Sequence, residues 1–242
     1  MRRINIALVG AGVVGAALVN QLDEKHDRII DEFNIDIRLK KILVRDKTIK
    51  RDIPDKSVLY TDDESPVSSS EIFTTELYDV VNAKEIDLVV EVAGGIDAAY
   101  EIISTTLKNS IPVVTANKAL LAEKGPALYS IANEHQVDLL FEAAVAGGIP
   151  VVRPLRESLA VEHIQSVKGI LNGTTNFILS QMTQNGTSYA DALTEAQALG
   201  YAEADPSADV EGYDAAAKIA IISLLATGTS ATVNDVKMTG IT

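Results

Sequence analysis

Ile4 to Val9 form a short, nearly continuous apolar run that stops at a glycine, and Gly10-Ala11-Gly12-Val13-Val14-Gly15 follows at once. No other feature constrains the fold as tightly. A strand that is apolar on both faces belongs inside a parallel sheet. G-x-G-x-x-G between such a strand and the first turn of a helix is the turn that accepts a dinucleotide pyrophosphate. The first glycine makes the turn, the second lets the backbone approach the phosphates, and the third lets helix and strand pack. The amides of the helix N-terminus then face the anion. Gly10, Gly12, Val13, Val14 and Gly15 are therefore candidate cofactor-binding residues.

The same texture recurs along the first part of the chain. Helical spacing over residues 12–23 is followed by strand-like runs at 35–44, 87–93, 112–115 and 138–145, with helix-like stretches at 97–109 and 120–135. Strand and helix in alternation imply parallel pairing with right-handed crossovers, an α/β, doubly wound Rossmann-type sheet. Residues 46–82 are polar, with Pro54, Pro66 and the acidic Asp62-Asp63-Glu64, and read as an irregular, solvated connection. The texture changes at Gly147-Gly148-Ile149-Pro150: residues 151–160 look helical, 164–171 strand-like, and 188–199 and 210–227 helical. The expected division is a dinucleotide-binding domain over 1–148 and a second, α+β, substrate-binding and catalytic domain over 149–242.

In open parallel sheets ligands bind beyond the carboxyl ends of the strands, which draws Gly94 and Lys118 into the cleft. At the end of the second strand Arg45 favours the extra phosphate of NADP, while Asp46 beside it leaves NAD open. The formal net charge of −13 opposes nucleic acid and anionic membrane surfaces, and the basic residues read as dispersed. The chain has no cysteine, which removes thiolate metal sites and cysteine nucleophiles. His26, His135 and His163 lie too far apart to suggest a transition-metal site. Met1-Arg2-Arg3 ahead of an apolar run has the look of a signal peptide, but Asn5 and three glycines interrupt the run and no cleavage box follows. No stretch approaches the ~20 apolar residues that cross a bilayer, so the expectation is a soluble cytoplasmic protein acting on a small molecule.

The densest polar segment runs from Ala196 to Lys218. Asp205-Pro206 and Gly212 break regular structure there, placing Glu203 and Asp209 on a loop ahead of a helix. Asp214 and Lys218, four apart, share one face of that helix; on an exposed helix such a pair contributes about 0.3–0.5 kcal/mol. This helix is almost wholly apolar around them, which calls for burial with the pair turned to a cleft. A buried lysine beside carboxylates is a candidate acid or base.

Together, Ala196 to Lys218, Gly169-Ile170-Leu171-Asn172-Gly173-Thr174-Thr175-Asn176, Thr115-Ala116-Asn117-Lys118 and the opening glycine turn resemble homoserine dehydrogenases, over essentially the whole chain. The resemblance implies NAD(P)-dependent interconversion of L-homoserine and L-aspartate 4-semialdehyde, on the route to threonine, isoleucine and methionine, by a homodimer. It implies that Lys218 donates the proton, with Asp214 as its partner and Lys118 near nicotinamide and substrate. It further implies that Glu203 holds the substrate amino group, that Asp209 is a second polar contact, and that Tyr201 and Thr174 line the pocket. Glu142, Val145, Gly147 and Ile149 fall on a turn where the family binds a monovalent cation, sodium, largely through backbone carbonyls, as suits a hard ion. The missing cysteine separates this reaction from oxidative phosphorylation of the same semialdehyde, which proceeds through a thioester. Because Thr242 follows so soon after Lys218, a shortened second domain, incomplete at its C-terminal end and without a regulatory domain, is expected. A dinucleotide-binding remnant without turnover is the alternative.

Overall fold

The computed structural model describes residues 1–51, 53, 58–59, 69–81 and 84–242, with the side chains at 69 and 70 excepted. The acidic run at 62–64 and both prolines of the expected irregular connection lie outside the described residues. The chain divides into two compact units, Met1–Leu120 with Ala127–Ala143, and Leu121–Pro126 with Ala144–Thr242.

In the first unit, the opening apolar run is β1 (Arg2–Val9), and the glycine turn leads into α1 (Val13–Glu24). A second helix not expected from the apolar spacing, α2 (His26–Phe33), follows directly. It has no buried residue, carries an exposed Arg28–Glu32 ion pair, and ends on Asn34 in the left-handed region (φ 57°), a residue that accepts this conformation readily. The remaining elements are β2 (Ile35–Leu43), α3 (Ser69–Ile72), β3 (Phe73–Thr74), α4 (Tyr78–Val81), β4 (Leu88–Glu91), α5 (Asp97–Lys108), β5 (Val113–Thr115), α6 (Lys118–Glu134) and β6 (Leu139–Leu140).

All six strands pair in parallel in the order β3-β2-β1-β4-β5-β6. The order reverses between β1 and β4, the point where open α/β sheets bind ligands. Leu8, Val19, Leu39, Ile42 and Ile72 form the buried centre between sheet and helices. The strand expected over 138–145 is only two residues long. Beyond it Phe141, Ala144 and Val145 are buried from a 3₁₀ turn (Glu142–Ala144) and irregular backbone. The apolar pattern there marked burial, not ladder hydrogen bonds.

The second unit continues with a five-residue π-helical stretch (Pro154–Ser158), then α7 (Gly173–Asn185), α8 (Tyr189–Ala198), α9 (Ser207–Val210) and α10 (Tyr213–Thr227). The strand expected over 164–171 is not formed: this segment is irregular, with Val167 and Ile170 exposed. A strand needs a neighbour for its N–H and C=O groups, and the strands of the one described sheet all belong to the first unit. Ile178 is fully buried against Ala192, Ala196, Ala202 and Val210. Truncating this fully buried side chain leaves a cavity in the cluster, and Ile178→Ala is expected to lower stability by about 2–5 kcal/mol in a urea melt.

Candidate functional site

The glycine turn sits at the carboxyl edge of the sheet, held there by backbone bonds from Gly10 N to Leu43 O (3.0 Å) and from Val92 N to Val9 O (2.9 Å). Gly10 has φ +95°, and a Cβ on it would stand 2.7 Å from Ala93 Cα. A Cβ on Gly15 would stand 2.3 Å from Gly10 O, so this residue lets helix and turn pack. A Cβ on Gly12 meets nothing within 4 Å. Gly12 is the N-cap of α1 and gives no side-chain cap, leaving first-turn amides for a ligand, while Val13 is 89% exposed beside them. Gly10, Gly12, Val13, Arg45 and Gly94 all line one groove of about 1170 Å³ within the first unit.

Three cations line that groove although the basic residues read as dispersed in the sequence: Arg45, Lys50 and Arg51. Asp46 also lines it, but its carboxylate accepts from both the Thr48 amide and the Thr48 hydroxyl (2.7 Å each). Those two bonds hold the Asp46 carboxyl below the usual carboxylate range. A depressed folded pKa contributes stability that is present above the unfolded value and lost as the pH falls through the folded one. The Asp46–Thr48 turn is thus expected to open only on the acid side, below pH about 4, read from the Thr48 amide shift in an NMR titration.

The floor of the groove is built around a fully buried carboxylate at the end of β4. Glu91 Oε1 accepts from the amides of Ala93 (2.9 Å) and Gly94 (3.1 Å), and Oε2 accepts from the Thr115 hydroxyl (2.6 Å). Thr115 Oγ1 accepts from Asn117 N (3.0 Å), Asn117 Nδ2 donates to Gly95 O (2.6 Å), and Asn117 Oδ1 caps α6 through Leu120 N (3.1 Å). Lys118, the first residue of α6, is thereby fixed just beyond β5, but unlike Gly94 it is not among the residues lining this groove.

The second unit holds a separate polar cluster. On α10 the Lys218 ammonium donates to Asp214 Oδ2 (2.7 Å) and to Leu171 O (2.6 Å). The two side chains are 16% and 9% exposed, so this is a largely desolvated pair. Asp214 Oδ2 also accepts from Asn172 Nδ2 (2.8 Å), whose other proton goes to Asp209 Oδ1 (2.6 Å). The single Thr174 hydroxyl proton lies between Asp209 Oδ2 (3.0 Å) and Tyr201 O (2.6 Å). Tyr201 therefore joins through its carbonyl, while its exposed ring packs on Phe177 with centroids 5.1 Å apart. Glu203 is exposed on the loop after α8 and stands outside this hydrogen-bonded cluster; its carbonyl accepts from Gln197 Nε2 (3.1 Å).

Lys218, Asp214, Asp209, Thr174 and Tyr201, named on sequence grounds, are thus brought together, and Asn172 at their centre was not named. Of the expected cation ligands, Glu142 begins the 3₁₀ turn, Val145 is fully buried and Ile149 is exposed. Left-handed Ala146 (φ 59°) and Gly148 (φ 77°) shape the backbone that carries them. Among the described residues no group of three or more acidic or histidine side chains could hold a metal. No described helix is long and apolar enough to cross a membrane.

A parallel 3-2-1-4-5-6 sheet with a glycine turn at its switch point defines a dinucleotide-binding protein of the Rossmann type. Comparison with known proteins narrows this. Residues 10–142 match the family model described as homoserine dehydrogenase, NAD binding domain, and residues 150–242 match that of homoserine dehydrogenase itself. The chain is 40% identical over 241 residues to homoserine dehydrogenase of Bacillus subtilis, covering 100% of this chain and 53% of that one. The crystal structure of a homoserine dehydrogenase from Thiobacillus denitrificans superposes with a TM-score of 0.81 at 39% identity, covering 100% of this chain and 53% of that one. A hyperthermophilic archaeal homoserine dehydrogenase in complex with NADPH gives a TM-score of 0.76 at 28% identity, covering 97% and 75%. This chain belongs to the homoserine dehydrogenase family. It spans about half the length of the curated relatives it matches.

Proposed function

We propose that this chain carries the catalytic core of a homoserine dehydrogenase, interconverting L-homoserine and L-aspartate 4-semialdehyde with NADP(H). The observation that carries this reading is the Lys218 ammonium: two of its N–H groups are spent on Asp214 and Leu171 O, the third is left for a substrate oxygen, and the side chain retains 16% exposure. A bound nicotinamide supplies or accepts the hydride at the carbon bearing that oxygen. In the reductive direction Lys218 stabilises the charge growing on the aldehyde oxygen and delivers the proton that completes the alcohol. In the oxidative direction its neutral amine takes the hydroxyl proton and becomes the ammonium again, held in place by Asp214.

Residues 1–148 would hold the dinucleotide, with its pyrophosphate on the Gly10–Gly15 turn, and residues 149–242 the substrate. Glu203 and Asp209 would meet the substrate amino group, Tyr201 and Thr174 would line the pocket, and Lys118 would lie near the nicotinamide. A monovalent cation such as sodium at the turn carrying Glu142, Val145, Gly147 and Ile149, a homodimer, a cytoplasmic setting and a place in threonine, methionine and isoleucine synthesis complete the reading.

Three cations lining the groove, with the Asp46 carboxylate already engaged by Thr48, support NADP over NAD. Arg45→Ala is expected to weaken NADPH about tenfold while leaving NADH binding within about twofold, in a fluorescence titration. The reading as a whole is tested by adding homoserine and NADP⁺ and following reduced-nicotinamide absorbance. A homoserine-dependent rise supports it. A flat trace from protein that still binds NADPH leaves only the dinucleotide-binding remnant.

A further inference from the structure

Asn172 sits at the N-terminus of α7, 7% exposed, and every polar atom of its amide is used. Oδ1 accepts from the Thr175 amide (2.8 Å) and hydroxyl (3.0 Å), which fixes the orientation of the group, because only the oxygen can accept from an amide N–H. Nδ2 then has two protons for two acceptors, Asp209 Oδ1 and Asp214 Oδ2. Asp214 Oδ2 is also the oxygen that holds the Lys218 ammonium, and the ammonium's other acceptor is the carbonyl of Leu171, the residue next to Asn172. Both restraints on Lys218 thus converge on one position at the start of α7.

We propose that Asn172 is a positioning residue for Lys218: its two N–H groups clamp Asp209 and Asp214 on either side of the N-terminus of α7, and so fix where the ammonium stands. The inference rests on the proposed role of Lys218. The geometry gives the amide two separable tasks, capping α7 through Oδ1 and bridging two carboxylates through Nδ2. Serine also caps a helix well but has a single proton and a shorter reach, so Asn172→Ser keeps the first task and loses the second. Asn172→Asp keeps the cap and replaces both donors by a third carboxylate.

The test uses both variants in the full chain. NADPH affinity is expected to stay close to wild type in Asn172→Ser, while its melting temperature falls by several degrees as the two carboxylates lose their donor. Its kcat for homoserine is expected to fall about thirtyfold with KM changed less than about threefold, the signature of a lost transition-state contact and not of lost substrate binding. Independently of turnover, the ¹H–¹⁵N signal of the Lys218 ammonium, assigned by its loss in Lys218→Ala, is expected to shift and broaden in both variants. Unchanged kcat with an unchanged ammonium signal overturns the proposal, as does a rise in KM alone. If the wild-type chain does not oxidise homoserine, the proposed function fails while the ammonium signal still decides whether Asn172 positions Lys218. Should Asn172→Ser unfold, the Asn172→Asp signal decides.

Discussion

On the proposed function, turnover of homoserine is expected to fall about 10³-fold or more in Lys218→Ala, with NADPH affinity unchanged. As a hydride reaches an aldehyde carbon the oxygen becomes an alkoxide unless a donor stands ready, and Lys218 brings both positive charge and a transferable proton. Asp214 and Leu171 O restrain the ammonium, so in the proposed reaction little reorganisation would be needed. The glycine-turn groove belongs to the first unit and is lined without Lys218, hence the intact cofactor affinity.

Lys218→Arg sharpens the test. A guanidinium keeps the positive charge opposite Asp214 but does not give up a proton at neutral pH. The arginine variant is expected to fold and bind NADPH yet to remain as slow as the alanine one within about tenfold. Steady-state rates and fluorescence titration read both variants, and more than a tenth of wild-type turnover in Lys218→Ala would remove this side chain from the chemistry.

Within the turn at 10–15, three alanine substitutions are expected to behave as two kinds. Gly15→Ala forces a Cβ to 2.3 Å from a carbonyl oxygen of the same turn, and neither backbone can move without breaking the α1–β1 packing. Gly10→Ala adds a left-handed φ of +95° to a Cβ at 2.7 Å from Ala93. Each is expected to lower stability by about 3 kcal/mol or more, visible in chemical denaturation with or without cofactor. Gly12→Ala has open space around its Cβ and should leave stability within about 1 kcal/mol of wild type. That space is where a pyrophosphate would approach the backbone, so Gly12→Ala is expected to weaken NADPH at least about thirtyfold. Equal losses of stability in all three would refute the division.

Much of the first unit was legible because its strands are apolar on both faces and its turn is chemically restrictive. β1, α1, β2, α5, β5 and α6 lie where their patterns placed them to within a few residues. The errors at α2 and 138–145 share one cause: apolar spacing reports burial. α2 buries nothing and went unseen. Residues 138–145 bury side chains from a turn and were read as strand. Residues 164–171 were read as a strand but pair with none among the described residues. α7 was missed because its first turn, Gly173-Thr174-Thr175-Asn176, lacks good helix formers and relies on the Asn172 cap. At the candidate site the Asp214–Lys218 pair was readable because four residues are one helical turn. Asn172 was not, because its partners Asp209 and Asp214 lie 37 and 42 residues away in sequence, and no local pattern encodes that meeting.

The Glu91 carboxylate has a consequence for anyone redesigning this groove. Its two oxygens act as a brace between loops that carry no direct covalent tie, one following β4 and one following β5. Displacement of either loop is passed to the other through short, directional links, so cofactor preference is best retuned at the exposed residues around Arg45, which these links do not reach. Changes near Gly94 or Thr115 would travel along the brace to Asn117 and disturb the start of α6, converting a local edit into a displacement of Lys118.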